Sequence, residues 1–290
     1  MPDFVLLILT VVFICIVTSL RKTYDNRHPG GSALLFSAFT CLTSCVFFTV
    51  SGGFKFEFVP ELIPYVILFG AAFGTATVTS YMSIRKGSLS LTSLITSYSL
   101  VIPTIYGLVF LGDEAGAFFY VGLALLLVSL FVIGIKKSEG ADKVKITPVW
   151  VLFVSLAFLG NGLCSTFQTA QQKAFMGQYK SELMIMALGA VSVCLFVLAF
   201  VMERDKLAHT AKTCLPYCLG YGILNGAVNL FVMMLTGGGE LDTSIIFPTI
   251  SAGGIIMTGL VALFIYKEKL SKLQYAGLIL GTLAVVFMNI

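Results

Sequence analysis

The chain has 290 residues, of which 58% are hydrophobic and only 11% are charged, whereas soluble domains have about 25% charged residues. This composition excludes an ordinary soluble enzyme, and the short loops leave no room for a separate soluble domain. The net charge of +4 is modest and does not by itself indicate a nucleic-acid partner.

Ten apolar stretches are long enough to cross a bilayer. A helix rises about 1.5 Å per residue and needs roughly 20 residues to span a hydrocarbon layer of about 30 Å. The predicted spans are Phe4–Leu20, Ser32–Val50, Leu62–Ile84, Leu89–Leu111, Ala117–Ile135, Val149–Gln171, Leu183–Met202, Leu215–Thr236, Thr243–Tyr266 and Leu273–Ile290. No charged side chain lies in the middle of any of them. We therefore predict an all-α membrane protein with ten transmembrane helices.

The basic residues are distributed unevenly between the two sides of the membrane. If the spans alternate in direction, all but three of the 18 Lys and Arg residues lie on one side, and the exceptions are Lys55, Lys173 and Lys180. Because basic loops stay in the cytoplasm, this distribution places both termini outside the cytoplasm. We expect a multi-pass protein of the plasma (inner) membrane, and we interpret its basicity as a topology signal.

The chain contains an internal repeat. Aligning its two halves brings Tyr65 onto Tyr217 and the pair Gly70/Gly74 onto the pair Gly222/Gly226. The predicted repeats are residues 1–146 and 147–290, each with five spans, within one integral bundle. Because five is odd, the second repeat must be inverted relative to the first. Inverted repeats are typical of secondary transporters, which bind substrate near the midplane between the two repeats.

The best-matching segments of the two halves also resemble a known family. In the first half, Gly107–Glu114 is followed by Tyr120-Val-Gly-Leu, and in the second half Gly259–Glu268 is followed by Tyr275-Ala-Gly-Leu. Ten spans in two such halves resemble the drug/metabolite transporter superfamily, and specifically its ten-helix EamA-type permeases. The resemblance covers essentially the whole chain. It implies a permease fold of two inverted five-helix repeats.

Polar side chains inside the spans mark the predicted binding face. In lipid, such groups turn toward the bundle or toward a cavity, and carboxamides are costly to leave without partners. Helical spacing places Asn161 and Gln168 on one face of the sixth span, and Asn225 and Asn229 one turn apart on the eighth. The candidate substrate-binding residues are Asn161, Gln168, Asn225, Asn229, Tyr81, Thr96, Tyr98 and Ser251. For any single Ser or Thr, the alternative is a role in holding helices together.

Two prolines and several glycine pairs complete the pattern. Pro103 and Pro248 interrupt corresponding spans of the two halves, where freed carbonyl groups can line a cavity, so we interpret them as gating or kink positions. An ordinary kink is the alternative. The pairs Gly70/Gly74, Gly222/Gly226 and Gly277/Gly281 are predicted to be packing seams rather than ligand contacts.

Residues for catalysis or metal binding are lacking from the predicted spans. They contain no carboxylate and no His in their interiors, and the chain has neither a phosphate-binding glycine loop nor a zinc-ligand spacing. We expect no metal, no cofactor and no enzymatic activity. Any ion coupling would have to use acidic residues at the span ends, for which the candidates are Glu61, Glu182, Glu240 and Asp242.

The function that fits best is transport. We expect a secondary transporter or facilitator that exports a small neutral, zwitterionic or amphipathic metabolite by alternating access through a central cavity between the repeats. The expected partners are this metabolite and the lipid bilayer, without nucleic acid. The sequence does not determine the oligomeric state, for which a monomer and a weak dimer are both open. The alternatives are a flippase for a lipid-linked sugar and a membrane-embedded enzyme.

Overall fold

The structure, a computed structural model, describes residues 2–86, 92, 95–96, 98–113, 116–134, 147–238, 241–264 and 272–288. The α-helices within these residues are α1 (Asp3–Arg27), α2 (Ala33–Ser51), α3 (Ile63–Lys86), α4 (Val101–Tyr106), α5 (Ala117–Gly134), α6 (Pro148–Ala174), α7 (Lys180–Met202), α8 (Leu207–Thr213), α9 (Leu215–Gly238), α10 (Thr243–Phe264) and α11 (Lys272–Met288). The described residues contain no β-strand. The predicted all-helical class is confirmed.

Six helices of the described residues are long and apolar enough to cross a membrane. They are Asp3–Arg27, Ala33–Ser51, Pro60–Ile84, Pro148–Ala174, Lys180–Met202 and Leu215–Gly238. These helices correspond to the first, second, third, sixth, seventh and eighth predicted spans. The protein is therefore a membrane protein. Each of the four other predicted spans includes residues that lie outside the described set. Glu114, Glu240 and Glu268 also lie outside it.

The ends of the helices follow from local chemistry. The Ser32 hydroxyl caps α2 by accepting a hydrogen bond from the Leu35 N–H. Gly53, with φ of 67°, follows the end of α2 in a left-handed conformation that glycine adopts without strain. Pro148 occupies the first position of α6, where its missing N–H would have no helical partner.

The chain folds into two compact units. The first contains Met1–Thr77 and Phe167–Gly239, and the second contains Val78–Thr166 and Glu240–Ile290. Each unit therefore combines residues from both predicted repeats, and α3 and α6 each contribute to both units. The division into repeats at residues 146 and 147 stays a prediction.

In the first unit, α2 packs against α7 and α9, and α1 packs against α9. A Cβ atom added to Gly222 would lie 2.5 Å from the Thr43 Cβ atom, and the Ser44 hydroxyl donates to the Gly222 carbonyl at 2.7 Å. A Cβ on Gly226 would lie 2.6 Å from the Phe47 ring. The predicted packing role of this glycine pair is confirmed. The predicted seam at Gly70/Gly74 is wrong, because a Cβ atom on Gly70 would make only an ordinary contact, 3.6 Å from the Val191 Cγ2 atom, and one on Gly74 would meet nothing within 4 Å.

In the second unit, α5 packs against α11, and α10 packs against α4 and α11. The Ser129 hydroxyl donates to the Gly277 carbonyl at 2.6 Å and would lie 2.8 Å from a Cβ atom on Gly281. Here too the glycine pair forms a packing seam, because the absent side chains let the two helices approach closely.

Candidate functional site

Asn161 is the predicted binding residue whose surroundings are most informative. It lies on α6 in the second unit, and its side-chain amide donates to the Ser99 hydroxyl at 2.6 Å. Ser99 is fully buried, whereas Asn161 is exposed. The amide is therefore oriented at one end by a buried hydroxyl while the residue remains accessible. This combination suits ligand binding better than pure helix packing.

Pro103 affects the hydrogen bonding of Ser99, the residue that binds the Asn161 amide. A proline cannot donate to the carbonyl four residues earlier, so Pro103 leaves the Ser99 carbonyl without its usual helical donor. That carbonyl would lie 2.6 Å from a Cβ atom on Gly162, the neighbour of Asn161. Only a residue without a side chain fits there. The Asn161-Gly162 pair of α6 thus lies directly against the helix interruption at Ser99.

The backbone around Pro103 is irregular over its whole described length. Tyr98–Leu100 forms a 3₁₀ turn, Val101–Tyr106 forms the short α4, and Gly107–Leu111 forms a π-helical turn. Such changes of helical hydrogen bonding often mark functional positions. One helical turn into this segment, the Thr104 hydroxyl donates to the Leu100 carbonyl at 2.8 Å. This side-chain bond stabilises the segment where backbone bonds alone would be incomplete.

The other predicted residues of the second unit are placed as follows. The Thr96 hydroxyl donates to the Thr92 carbonyl at 2.9 Å, and the Thr92 hydroxyl accepts the indole N–H of Trp150 at 3.3 Å. Tyr81 is half-buried and Ser251 is buried. Pro248 lies inside α10. The backbone of Tyr98 belongs to the 3₁₀ turn, and its side chain lies outside the described features.

Three predicted amides form a short chain of hydrogen bonds in the first unit. The Gln168 side chain, only 3% exposed, donates to the Asn229 backbone carbonyl at 3.2 Å. The Asn229 side chain in turn donates to the Asn225 backbone carbonyl at 2.8 Å. Asn225 and Asn229 are themselves half-buried. Part of their donor capacity therefore goes to the backbone of α9, and their role in substrate binding stays a prediction.

Two further glutamines continue this polar face toward the end of α6. Gln171 and Gln172 are fully buried, and the Gln171 amide donates to the Gln178 carbonyl at 3.1 Å. The Gln172 amide donates to the Gln171 side-chain oxygen, while its own oxygen is buried without a partner among the described residues. That oxygen would lie 2.7 Å from a Cβ atom on Gly237. A buried amide oxygen without a donor is costly, so this end of α6 is a polar region enclosed in the protein.

The predicted binding residues are thus divided between the two units. Gln168, Asn225 and Asn229 meet in the first, and Asn161 lies beside the Pro103 interruption in the second. The sequence did not single out Ser99 or Gly162. The signal was present for Ser99, because it precedes Pro103 by one helical turn and is the residue whose carbonyl a proline leaves free.

A buried carboxylate is the clearest feature that sequence reasoning missed. Glu203, 4% exposed, follows α7 in the first unit and accepts hydrogen bonds from the Ser32 hydroxyl at 2.7 Å and the Leu34 N–H at 3.1 Å. The Lys206 ammonium lies 3.8 Å from its other oxygen. Ser32 N also donates to the Thr210 hydroxyl at 2.7 Å. An acidic residue among basic ones at the end of an apolar span was the available signal.

A surface cavity of about 390 Å³ lies in the first unit and includes one of the acidic residues considered for coupling. Its lining includes Glu61 together with Phe175, Gln178 and Tyr179. The cavity is a shallow depression that is largely open to the surroundings. Among the described residues, no group of three or more His, Cys, Asp or Glu could hold a metal ion.

Comparisons with known proteins give the fold. No protein-family model matches the chain, and no curated protein matches it. Twenty-nine chains of solved structures match it. One of these, a protein of known crystal structure, is 10% identical; the match covers 99% of this chain and 97% of that chain with a TM-score of 0.77. At this identity the likeness shows a shared fold and nothing about activity.

Proposed function

We propose that this protein is a secondary transporter or facilitator that exports a small neutral, zwitterionic or amphipathic metabolite. The observation that carries the proposal is Asn161, an exposed amide within an apolar helix, oriented by buried Ser99 beside the Pro103 interruption. A carboxamide facing hydrocarbon would be strongly unfavourable, so an exposed one favours a polar cavity.

The chemistry of the polar residues favours this substrate class. Amides and hydroxyls at Asn161, Gln168, Asn225 and Asn229 donate and accept hydrogen bonds without carrying charge. Such groups suit the polar atoms of a neutral or zwitterionic ligand. A multiply charged ligand would need ionic partners, which the predicted spans do not contain in their interiors.

We further propose ten spans in two inverted repeats, with the architecture of the EamA-type permeases of the drug/metabolite transporter superfamily. The six long apolar helices agree with this order of spans. The contacts between α2 and α7, the second helix of each proposed repeat, support the inversion as well, because these two helices run in opposite directions. The end of α7 meets the start of α2 at Glu203 and Ser32, and the end of α2 meets the start of α7 at Gly52 and Ser181.

In this mechanism, two nearly equivalent repeats exchange outward-open and inward-open states of similar energy. The interruptions at Pro103 and Pro248 let the helices bend where backbone hydrogen bonds are already missing. Within the second unit Asn161 binds polar atoms of the substrate, and within the first unit Gln168, Asn225 and Asn229 do so. Both termini lie outside the cytoplasm, and the protein resides in the plasma (inner) membrane.

The test combines ligand screening with flux. A thermal-shift screen of the purified protein against amino acids, sugars, nucleotides and amphipathic drugs identifies a stabilising compound. Flux of that compound, radiolabelled, is then measured in proteoliposomes for wild type and Asn161→Leu. We expect a loss of flux of about tenfold or more, from the value of a hydrogen bond to a ligand, with normal insertion.

Ser155→Leu is the matched control, because Ser155 is an exposed polar residue on a different face of α6. Its flux should remain near wild type. Retained flux in both Asn161→Leu and Asn225→Leu would contradict the site. Translocation of a labelled glycolipid without flux of any soluble compound would instead identify a flippase.

A further inference from the structure

The only two histidines of the chain meet in the first unit. His28 follows α1 and His209 lies on α8, yet their ring centroids are 5.9 Å apart in an edge-on arrangement. Tyr217 lies at the start of α9, and its ring centroid is 6.1 Å from that of His28. The Arg27 guanidinium donates to the Tyr217 hydroxyl at 3.1 Å. We call Arg27, His28, His209 and Tyr217 the histidine corner.

The histidine corner is built on a packed aromatic floor. Tyr24 is 2% exposed. Its ring centroid lies 5.3 Å from that of His28, 5.4 Å from that of Tyr217 and 4.7 Å from that of Phe36. Arg27 and His209, by contrast, are exposed. Arg27 and His209 therefore face the surroundings of the protein, while the half-buried His28 and Tyr217 rest on the packed aromatic base. Such preorganisation reduces the entropy lost on binding.

The donors of the histidine corner match an anion. Because the Tyr217 oxygen accepts from Arg27, its own hydroxyl hydrogen is directed elsewhere and can donate. The guanidinium retains further N–H groups in a fork that fits phosphate oxygens, and each imidazole offers an N–H. Four neighbouring side chains thus supply donors of the kind that recognise a phosphate group.

The charges at this end of the unit also favour an anion over a cation. Asp25 is paired with Arg21 at 3.0 Å, and Glu203 is occupied by Ser32 and Lys206. A divalent metal would have only two imidazoles as ligands, and it would be repelled by the Arg27 guanidinium beside them. The histidine corner therefore fits a phosphate better than a metal ion.

The depth of the histidine corner is that of lipid headgroups. Arg27 ends α1, and Tyr217 lies in the first turn of α9; both helices are long enough to span the hydrocarbon layer. Residues at the ends of such helices lie at the level of the headgroups. We propose that the histidine corner binds a phosphate group, carried by an anionic phospholipid or by a soluble phosphate compound.

The experiment measures binding to the purified full-length protein. Native mass spectrometry compares the retention of phosphatidylglycerol with that of phosphatidylcholine, and a second arm measures thermal stabilisation by inorganic phosphate and glycerol phosphate. The variants are Arg27→Gln and His209→Gln, both at exposed positions where folding should be unaffected. Lys86→Gln, which removes an exposed cation from the other unit, is the matched control.

We expect the phosphate ligand to be bound about tenfold more weakly by Arg27→Gln, because a charge-assisted hydrogen bond is lost. Selective retention of phosphatidylglycerol identifies the lipid as the source, and stabilisation by the soluble phosphates alone identifies a soluble compound. The proposal is overturned if neither phosphate class binds, or if Lys86→Gln weakens binding as much as Arg27→Gln. These outcomes do not depend on what the protein transports.

Discussion

The Ser32 hydroxyl donates to the Glu203 carboxylate at 2.7 Å, and this bond joins two residues separated by 171 positions in the chain. The same carboxylate oxygen accepts the Leu34 N–H at 3.1 Å, so Glu203 stabilises the first turn of α2 from the end of α7. A negative charge at a helix amino terminus is favourable for the helix dipole. One buried side chain therefore holds two helices of the first unit in register.

Glu203→Ala should lower the free energy of unfolding by about 1–3 kcal/mol, because it leaves buried donors without an acceptor. Glu203→Gln retains one side-chain oxygen and should cost less. Thermal unfolding in detergent measures both. Asp205→Ala removes an exposed carboxylate two residues away and should change little. Equal effects of Glu203→Ala and Asp205→Ala would refute the special role of Glu203.

Gly222→Ala should destabilise the first unit by about 1–3 kcal/mol, the usual cost of overpacking. The added Cβ atom would lie 2.5 Å from the Thr43 Cβ and 2.9 Å from the Thr40 carbonyl oxygen, so α2 and α9 would have to separate. Gly74→Ala is the control, since a Cβ atom there meets nothing within 4 Å. Denaturation midpoints of the two variants in the same detergent test the difference. If both variants unfold alike, close packing at Gly222 is not important.

Asp113→Ala should destabilise α10 by about 1 kcal/mol, the typical value of a helix cap. The Asp113 carboxylate accepts the Ser244 N–H at 2.7 Å, in the first turn of that helix. Asp113→Asn keeps an acceptor oxygen and should restore most of the stability. Hydrogen exchange of the α10 amino terminus, followed by mass spectrometry, reports the effect locally. Identical exchange in the wild type and Asp113→Ala would show that this cap contributes little.

Pro103→Ala should stabilise the protein and slow transport. Alanine restores an N–H group that can donate to the Ser99 carbonyl, which would join the 3₁₀ turn Tyr98–Leu100 to α4 by a further hydrogen bond. A more regular helix should bend less readily during alternating access. Pro148→Ala is the matched control, because a proline in the first turn of α6 interrupts no hydrogen bond. Unchanged flux combined with higher stability would show that Pro103 is a structural kink only.

Helical spacing predicts which polar residues share a face within one span, because residues one helical turn apart lie on the same side. It did not predict that Gln168 of α6 meets α9. Gln168 does meet Asn229, and the Gly222/Gly226 pair does form a seam. The partner atoms were not foreseen. Gln168 bonds to a backbone carbonyl, whereas the sequence suggested amides facing a ligand.

Other features arise only when distant segments meet. The pattern within span four did not single out Ser99, although it orients Asn161, since the contact joins residues 62 positions apart. The sequence shows Glu203 as an acidic residue at the end of a span and the two histidines as residues between spans, and it gives no partner for any of them. Their burial and neighbours depend on how α1, α2, α7, α8 and α9 pack in the first unit.

The sequence by itself determined that the chain is helical and resides in a membrane, because the hydrophobic effect and the need to satisfy backbone hydrogen bonds act on each apolar segment separately. It also determined which positions carry polar groups within those segments. Only the tertiary structure decided which of these groups meet: Asn161 with Ser99, Glu203 with Ser32, and His28 with His209. Such pairings depend on the packing of side chains from remote parts of the chain, and helical periodicity contains no information about distances of that kind.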